Sequence, residues 1–357
     1  MLSTSVWTTP VSAETWIGWD LGGAHLKAVR LDAGVSFRVV QVACPLWLGL
    51  DRLEAALDRA ITELGAPRAR HAVTMTGELA DLFADRRSGV ASLIGVIRRS
   101  FSDDIRVYAG ADGFLDPEAA VRAAEQVASA NWLAAASWLA TRLAAGLLVD
   151  VGSTTSDLVP FAAGRVLARG DSDHTRLAQE ELVYTGVVRT PVMAVSARAS
   201  VAGHWVRLMA EQFATMADVY RLTGDLPEHA DLMPTADGRE KTPTASARRL
   251  ARMVGLDAGE SEAASWRELA RYLAEEQLRA LADACHLVCS RGEIPHDAPI
   301  VGAGVGRFLA VRLASRLERP YIDFGDILPP GPGEKPDVAD CAPAAAVANL
   351  ASSSVER

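Results

Sequence analysis

Two short stretches of this chain set carboxylates beside glycines at places where the backbone must turn. In "GWDLGGAHLKAVRLDAG", Gly18 to Gly34, a strand-like start runs into Asp20, Gly22, Gly23 and Lys27. Further on, "LLVDVGSTTSDLVPFAAGRV", Leu147 to Val166, repeats the plan with Asp150, Gly152, Ser153, Thr154, Thr155 and Asp157. Glycines lack the Cβ that would keep an anion away from backbone amides, so Gly22 and Gly23 suit a phosphate. Asp20 and Asp150 are candidate ligands for Mg²⁺, a hard cation that takes oxygen donors and keeps part of its water. Lys27 would neutralise a phosphoryl oxygen. The amides and hydroxyls from Gly152 to Thr155 would grip a second phosphate, with Asp157 orienting it or binding metal. A third element, "VGAGVGRFLA", carries Gly302, Gly304 and Gly306 where a strand ends and a helix opens, a place that favours phosphate or a base edge. Any one of these is also what an ordinary turn requires. Three in order carry more weight than one.

Other residues could complete such a site. "MTGELADLF" sets Thr76, Gly77 and Glu78 at a strand end, where an ordinary helix start reads the same residues equally well. "YTGVVRTP" offers Arg189 to a diphosphate or to an acceptor carboxylate, against a surface ion pair. "MADVYRLTGDL" holds Asp218, Tyr220 and Arg221, and "ADGRE" holds Asp237 and Arg239. His25 lies inside the first turn and is a substrate-binding candidate; a lone histidine such as His204 is more often structural. Trp132, Trp138 and Trp205 read as core. Cys285 and Cys289, with His286 between them, share a helix face, a spacing that fits buried thiols better than a metal site.

These groups need a scaffold. "TWIGWDLGG", "HLKAVRLDAG" and "VSFRVVQVACPLW" alternate as three successive strands. A helix over Leu50 to Leu64, the strand "HAVTMTG", a helix after Glu78, the strand "IRVYAG" and one long alanine-rich helix from Pro117 to about Ala145 follow. The pattern then restarts with two strands in 146–170, a strand in "TPVMAV", helices from about Ala245 to Ser290, the strand "APIVGAG", a helix from Gly306, the strand "YIDF" and a last helix around Cys341 to Leu350. The predicted fold class is α/β, two duplicated lobes with a phosphate-binding cleft between them. The predicted division is an extension over 1–15, a first lobe over 16–146 and a second lobe with helical insertions over 147–357.

Composition bounds the function. The 357 residues suffice for two lobes with a substantial core. With 36 Lys plus Arg against 45 Asp plus Glu, the net charge of -9 repels nucleic acid and anionic membrane, so neither is an expected partner. Four cysteines without paired zinc spacing, no apolar run near the roughly 20 residues of a membrane helix, and no signal-peptide pattern predict a cytoplasmic protein. A homo-oligomer stays open.

The two Asp hairpins and the late "VGAGVG" resemble the phosphate and adenosine motifs of the sugar kinase, Hsp70 and actin superfamily. "DVGSTTSD" is similar to the hydantoinase/oxoprolinase branch. "WDLGGAHLKAV", "MTGELADLF", "ELVYTGVVRTPV", "MADVYRLTGDL" and "ADGRE" extend the resemblance, from about Trp16 to Leu350, to proteins of tetrahydromethanopterin-linked one-carbon metabolism. The resemblance implies a methanofuran or methylofuran biosynthesis synthase. Such an enzyme joins an aminomethyl-furan-methyl diphosphate to the phenol oxygen of γ-glutamyl-tyramine or of a tyrosine-derived acceptor and releases diphosphate. Asp20, Lys27, Asp150 and Asp157 then become the candidate catalytic residues and Mg²⁺ the expected cofactor. Asp157 and Asp20 are both candidates for taking the phenol proton. An ATP-dependent kinase or ATPase, an amide-ring hydrolase and a non-catalytic scaffold are the rival readings, and fold alone does not choose among them.

Overall fold

Strand β1 (Thr15–Leu21) reads TWIGWDL, and every residue after Thr15 is buried. The computed structural model describes residues 15–32, 36–65, 69–101, 104–259, 263–329 and 336–355. Apart from Thr15, the predicted N-terminal extension lies outside them. A strand covered on both faces belongs in the middle of its sheet. β2 (His25–Asp32) and β3 (Ser36–Ala43) continue from it antiparallel, as the meander predicted. The chain then crosses through helix α1 (Asp51–Leu64), whose buried Leu53, Leu57, Ala60 and Leu64 recur at helical spacing and which ends on the left-handed Gly65. β4 (Arg70–Met75) follows, lying parallel to β1.

The helix predicted straight after Glu78 starts later. Residues Gly77–Leu79 form only one 3₁₀ turn, and α2 (Arg86–Ser100) begins behind Asp85, whose carboxylate accepts the Ser88 amide at 2.7 Å in a reciprocal cap. β5 (Ile105–Tyr108) lies parallel to β4, and β6 (Phe114–Leu115) closes the order β3-β2-β1-β4-β5-β6. The single helix predicted from Pro117 to Ala145 is instead three pieces: α3 (Pro117–Arg122), α4 (Ala124–Val127) and α5 (Asn131–Ala140). Ser129 takes a φ of 52°, a left-handed backbone that no helix tolerates, and its hydroxyl donates to Glu78 Oε1 at 2.7 Å. The break delivers a polar group to the strand end that the sequence singled out.

The second half repeats the opening. β7 (Ala145–Val151) and β8 (Ser156–Ala162) pair antiparallel, and β9 (Arg165–Val166) adds to β8 through an Ala163-Gly164 turn with both φ positive. After α6 (Asp173–Ala178), β10 (Leu182–Val183) pairs with the other end of β8. The strand predicted in "TPVMAV" is a helical turn, α7 (Val192–Val195): Pro191 precedes it with no N–H to give a ladder, and the Val192 amide goes to Ala214 O. A hairpin that the sequence reading did not foresee, β11 (Arg198–Val201) and β12 (His204–Arg207), carries Trp205 with 59% of its surface exposed, not in the core.

Helices α8 (Met216–Thr223), α9 (Pro243–Arg252) and α10 (Ala263–Cys289) pack together beside the second sheet, with left-handed Gly255 separating the last two. β13 (Ile300–Ala303), α11 (Arg307–Arg316) and β14 (Tyr321–Asp323) complete the order β10-β8-β7-β13-β14. β7, β8 and β13 thus hold the places that β1, β2 and β4 hold in the first sheet.

Between the lobes lie α5 and the last helix, α12 (Ala342–Val355), packed on one another. α5 covers β8, while α12 returns from the end of the chain to cover β1, β2 and β4. Their buried faces are largely alanine, including Ala134, Ala135 and Ala136 on one and Ala344, Ala345 and Ala348 on the other. Small side chains allow close approach: a Cβ on Gly18 of β1 would sit 1.9 Å from Ala344 O. Among the described residues no helix is long and apolar enough to cross a membrane.

Candidate active site

Antiparallel register decides what each hairpin presents. In the first, Asp20 stands opposite Lys27; in the second, Asp150 stands opposite Asp157. Cross-strand partners put their side chains on the same face, and all four line one cleft of about 540 Å³ between the lobes. Gly304 holds Asp150 in place from behind: it has a φ of 79°, and a Cβ there would lie 2.4 Å from Asp150 Oδ1.

The two turns share a construction. The Gly22 amide donates to His25 O at 3.1 Å, and the Gly152 amide donates to Thr155 O at 2.8 Å. The first glycine amide of each turn is therefore spent closing it, contrary to the expectation that it faces an anion. The next amides, those of Gly23 and Ala24 and of Ser153 and Thr154, donate to no group among the described residues, and both turns border the cleft. Two helices add to this. Asn131 and Trp132 at the start of α5 and Pro343 at the start of α12 line the same space, so the positive ends of both helix dipoles face it.

Burial sets the electrostatics. Asp20 is 5% exposed with Oδ1 unpartnered, and burial lifts it from 3.8 to about 6 against the pull of Lys27 and a hydrogen bond from Asn131. Asp150 rises by the same cause to about 7, with Lys27 opposing and Asp157 and Asp20 adding. Burial would lower Lys27, but Cys341, Asp150, Asp20 and Asp340 around it outweigh that and hold the ammonium above its ordinary value. His25 is buried with Nε2 unpartnered; burial, Lys27 and Arg189 push it down to about 3, so it is a neutral imidazole at physiological pH. Asp157 is raised by burial even though Arg176 opposes the shift, its guanidinium donating to Asp157 Oδ1 at 2.8 Å. Arg176 itself is 1% exposed and stacks 3.9 Å from the Trp132 ring centroid.

The remaining candidates divide. Thr76, His25, Thr155 and Arg189 line the cleft. Glu78 sits just beneath it, 1% exposed, raised by burial and bonded to Ser129, while Gly77 packs under Leu46 and Leu21. Gly302 lies under the Tyr321 ring and Gly306 against Val151 and Val187, so neither borders the cleft. Arg307, which follows, is tied to Asp323, Asp337 and Asp340. Asp218 and Arg221 also stand apart from the cleft. Asp218 Oδ1 accepts from Ser246 Oγ at 2.7 Å and from Arg249 Nε at 2.9 Å, Arg221 pairs with Asp231, and Arg249 reaches Asp237 at 3.0 Å. The charges of "MADVYRLTGDL" and "ADGRE" thus lock α8 to α9. Of the two helical cysteines, Cys285 is buried and its thiol pushed up by burial.

Sequence reasoning missed Ser129, Asn131, Asp173, Arg176, Trp47, Tyr184 and Pro343 at the cleft. A signal existed for two of them: "ASANW" inserts Ser and Asn, both cap formers, into an alanine run. Arg176 had none, because its partners come from β8 and α5.

As for a metal, no three His, Cys, Asp or Glu side chains gather to hold one among the described residues. Two carboxylates, one with an orphan buried oxygen, fit an ion that retains water and draws its other donors from a phosphate.

Comparison with known proteins agrees with this architecture. The hydantoinase/oxoprolinase family model matches residues 69–327. A relative from Methanocaldococcus jannaschii, named (4-{4-[2-(gamma-L-glutamylamino)ethyl]phenoxymethyl}furan-2-yl)methanamine synthase, is 30% identical over 242 residues, 68% of this chain and 72% of that protein. A Methanococcus vannielii protein of the same name is 30% identical over 111 residues, 31% of this chain and half of its own length. Among solved structures, a nucleotide-free acetone carboxylase chain superposes with a TM-score of 0.62 at 11% identity, covering 94% of this chain and 70% of its own, a likeness of fold alone.

Proposed function

The chain belongs to the hydantoinase/oxoprolinase family, and from that premise we propose that it is an aryl-ether-forming transferase of methanofuran or methylofuran biosynthesis. It transfers an aminomethyl-furan-methyl group from its diphosphate ester to the phenol oxygen of a tyramine- or tyrosine-derived acceptor and releases diphosphate. One observation carries the reading: a relative named for a phenoxymethyl-furan product is 30% identical across 72% of its length.

The cleft's chemistry supports it. The ester's C–O bond breaks with its electron pair leaving on diphosphate, while the furan oxygen feeds electron density to the methylene carbon that the phenol oxygen attacks. The demand on the protein is to stabilise the departing diphosphate. Lys27, the free amides of both turns and the two helix N-termini are suited to that charge. Asp20 and Asp150 would hold a Mg²⁺ ion, which would supply further neutralisation of the diphosphate. The phenol proton goes to a cleft carboxylate, with Asp157 and Asp20 as the candidates. The third glycine-rich element, on which a kinase would depend for its nucleotide, is used here for packing behind Asp150 and under Tyr321.

The test is diphosphate release by the purified protein with Mg²⁺, the furan diphosphate and either acceptor, without ATP, with the product identified by mass spectrometry. An ether product is expected. No ether, together with ATP turnover in a parallel sample, would return the protein to the kinase or ATPase class.

A further inference from the structure

Arg189 is an exposed cation at the cleft. The buried arginines Arg176 and Arg249 and the half-buried Arg221, Arg291 and Arg307 are each tied to a carboxylate. Arg189 is exposed and has no carboxylate partner among the described residues; its guanidinium lies 5.0 Å from the Trp47 ring centroid and 3.5 Å from Thr154 Oγ1. The loop beneath it is fixed. The Val188 and Arg189 amides donate to Ser153 O, Gln277 bonds to Thr185 Oγ1 and Gly186 O, and a Cβ on Gly186 would meet Thr154 N at 2.4 Å. An arginine presented in this way, over an aromatic face, has its planar fork available to a ligand carboxylate.

Two aromatic side chains flank the same opening. Trp47 comes from the first lobe and Tyr184, 66% exposed, from the second. Such faces take an aryl ring. Lys27 of the first hairpin lies by contrast at the buried end, set among Asp20, Asp150 and the start of α12. We propose that Trp47, Tyr184 and Arg189 form the acceptor half of the cleft, and that Arg189 selects a phenol bearing a carboxylate over one without it. This deepens the ether-forming reading and rests on it. Of the acceptors that reading admits, γ-glutamyl-tyramine and tyrosine carry a carboxylate and tyramine does not.

The experiment compares steady-state kinetics of wild type, Arg189→Gln and Arg189→Lys with all three acceptors. Wild type should favour the carboxylate acceptors. Arg189→Gln should raise their KM about tenfold or more, because a site built around a charged hydrogen bond rejects its loss strongly, and should erase the preference over tyramine. Its KM for the furan diphosphate should stay within about twofold of wild type, since Lys27, the first turn and the backbone amides of the second are left in place. Arg189→Lys should restore part of the discrimination. Equal use of tyramine by wild type would overturn the proposal. So would an Arg189→Gln variant that loses furan-diphosphate affinity, or inhibition by product diphosphate, with acceptors unaffected. Should no acceptor yield ether, the function fails first, and the acceptor site is read by binding: tyrosine or γ-glutamyl-tyramine should quench tryptophan fluorescence in wild type and not in Trp47→Leu. Absence of that difference would sink it too.

Discussion

The two hairpins are built alike and differ in charge at one cross-strand position. Each begins with an aspartate at the end of a buried central strand, and each closes its turn with the first glycine amide donating three residues ahead. They part at the cross-strand position, where the first lobe sets Lys27 and the second sets Asp157. Asp157 is then gripped by Arg176 from its own lobe. Duplication of the fold has kept the carboxylate and the turn, which geometry requires, and let the neighbouring charge diverge. One half of the cleft thereby carries a cation held among carboxylates, and the other a carboxylate restrained by an arginine.

If the conserved plan of the hairpins is what catalysis uses, removing either aspartate should be equally damaging. Asp20→Asn and Asp150→Asn are each expected to lower kcat/KM by about 10²- to 10³-fold, the scale seen when a principal electrostatic group is lost, with unchanged circular dichroism. Near-wild-type rates in both variants would remove the metal-and-diphosphate mechanism. A loss in only one would break the equivalence of the lobes.

The divergent position should separate the roles. Lys27→Met should weaken the furan diphosphate and its product diphosphate together with kcat. Asp157→Asn should lower kcat by about 10²-fold, a usual scale for a general base, with diphosphate inhibition unchanged. The same kinetic signature in both variants would mean that the charge difference between the lobes does no separate chemical work.

Most of the scaffold was legible because its strands alternate or run buried at fixed spacing, and because the second half repeats the first. The hairpins were legible for a similar reason: an Asp-Gly pattern that occurs twice is hard to mistake for one loose turn. What local pattern could not give is tertiary in origin. The alanine run from Pro117 has high helix propensity throughout, yet it breaks at Ser129 because a hydroxyl is needed by buried Glu78. Charges near the end of α8 look the same in sequence whether they meet a substrate or, as Asp218 and Arg221 do, a buried arginine and an aspartate on neighbouring segments. The glycines at Gly302 and Gly306 promise a ligand loop and instead allow close packing.

The smallest expected effect reads the lobes without any substrate. Burial raises Asp20 to about 6 and Asp150 to about 7. A carboxyl raised on folding favours the folded state fully below its unfolded value, about 3.9, and loses that contribution as pH climbs through the folded one. The ligand-free protein should therefore lose thermal stability between about pH 4 and pH 7, by on the order of a few degrees. Asp150→Asn, neutral at every pH, should show a shallower fall and a higher Tm at pH 8 than wild type. Asp20→Asn should gain less, because Lys27 stands directly opposite and already offsets part of the burial cost. Equal gains would mean that Lys27 serves both aspartates alike. A wild-type Tm that is flat or rising across this range, with no gain in either variant, would show that the cleft is wetter than its geometry implies and that neither aspartate is held against its preferred charge.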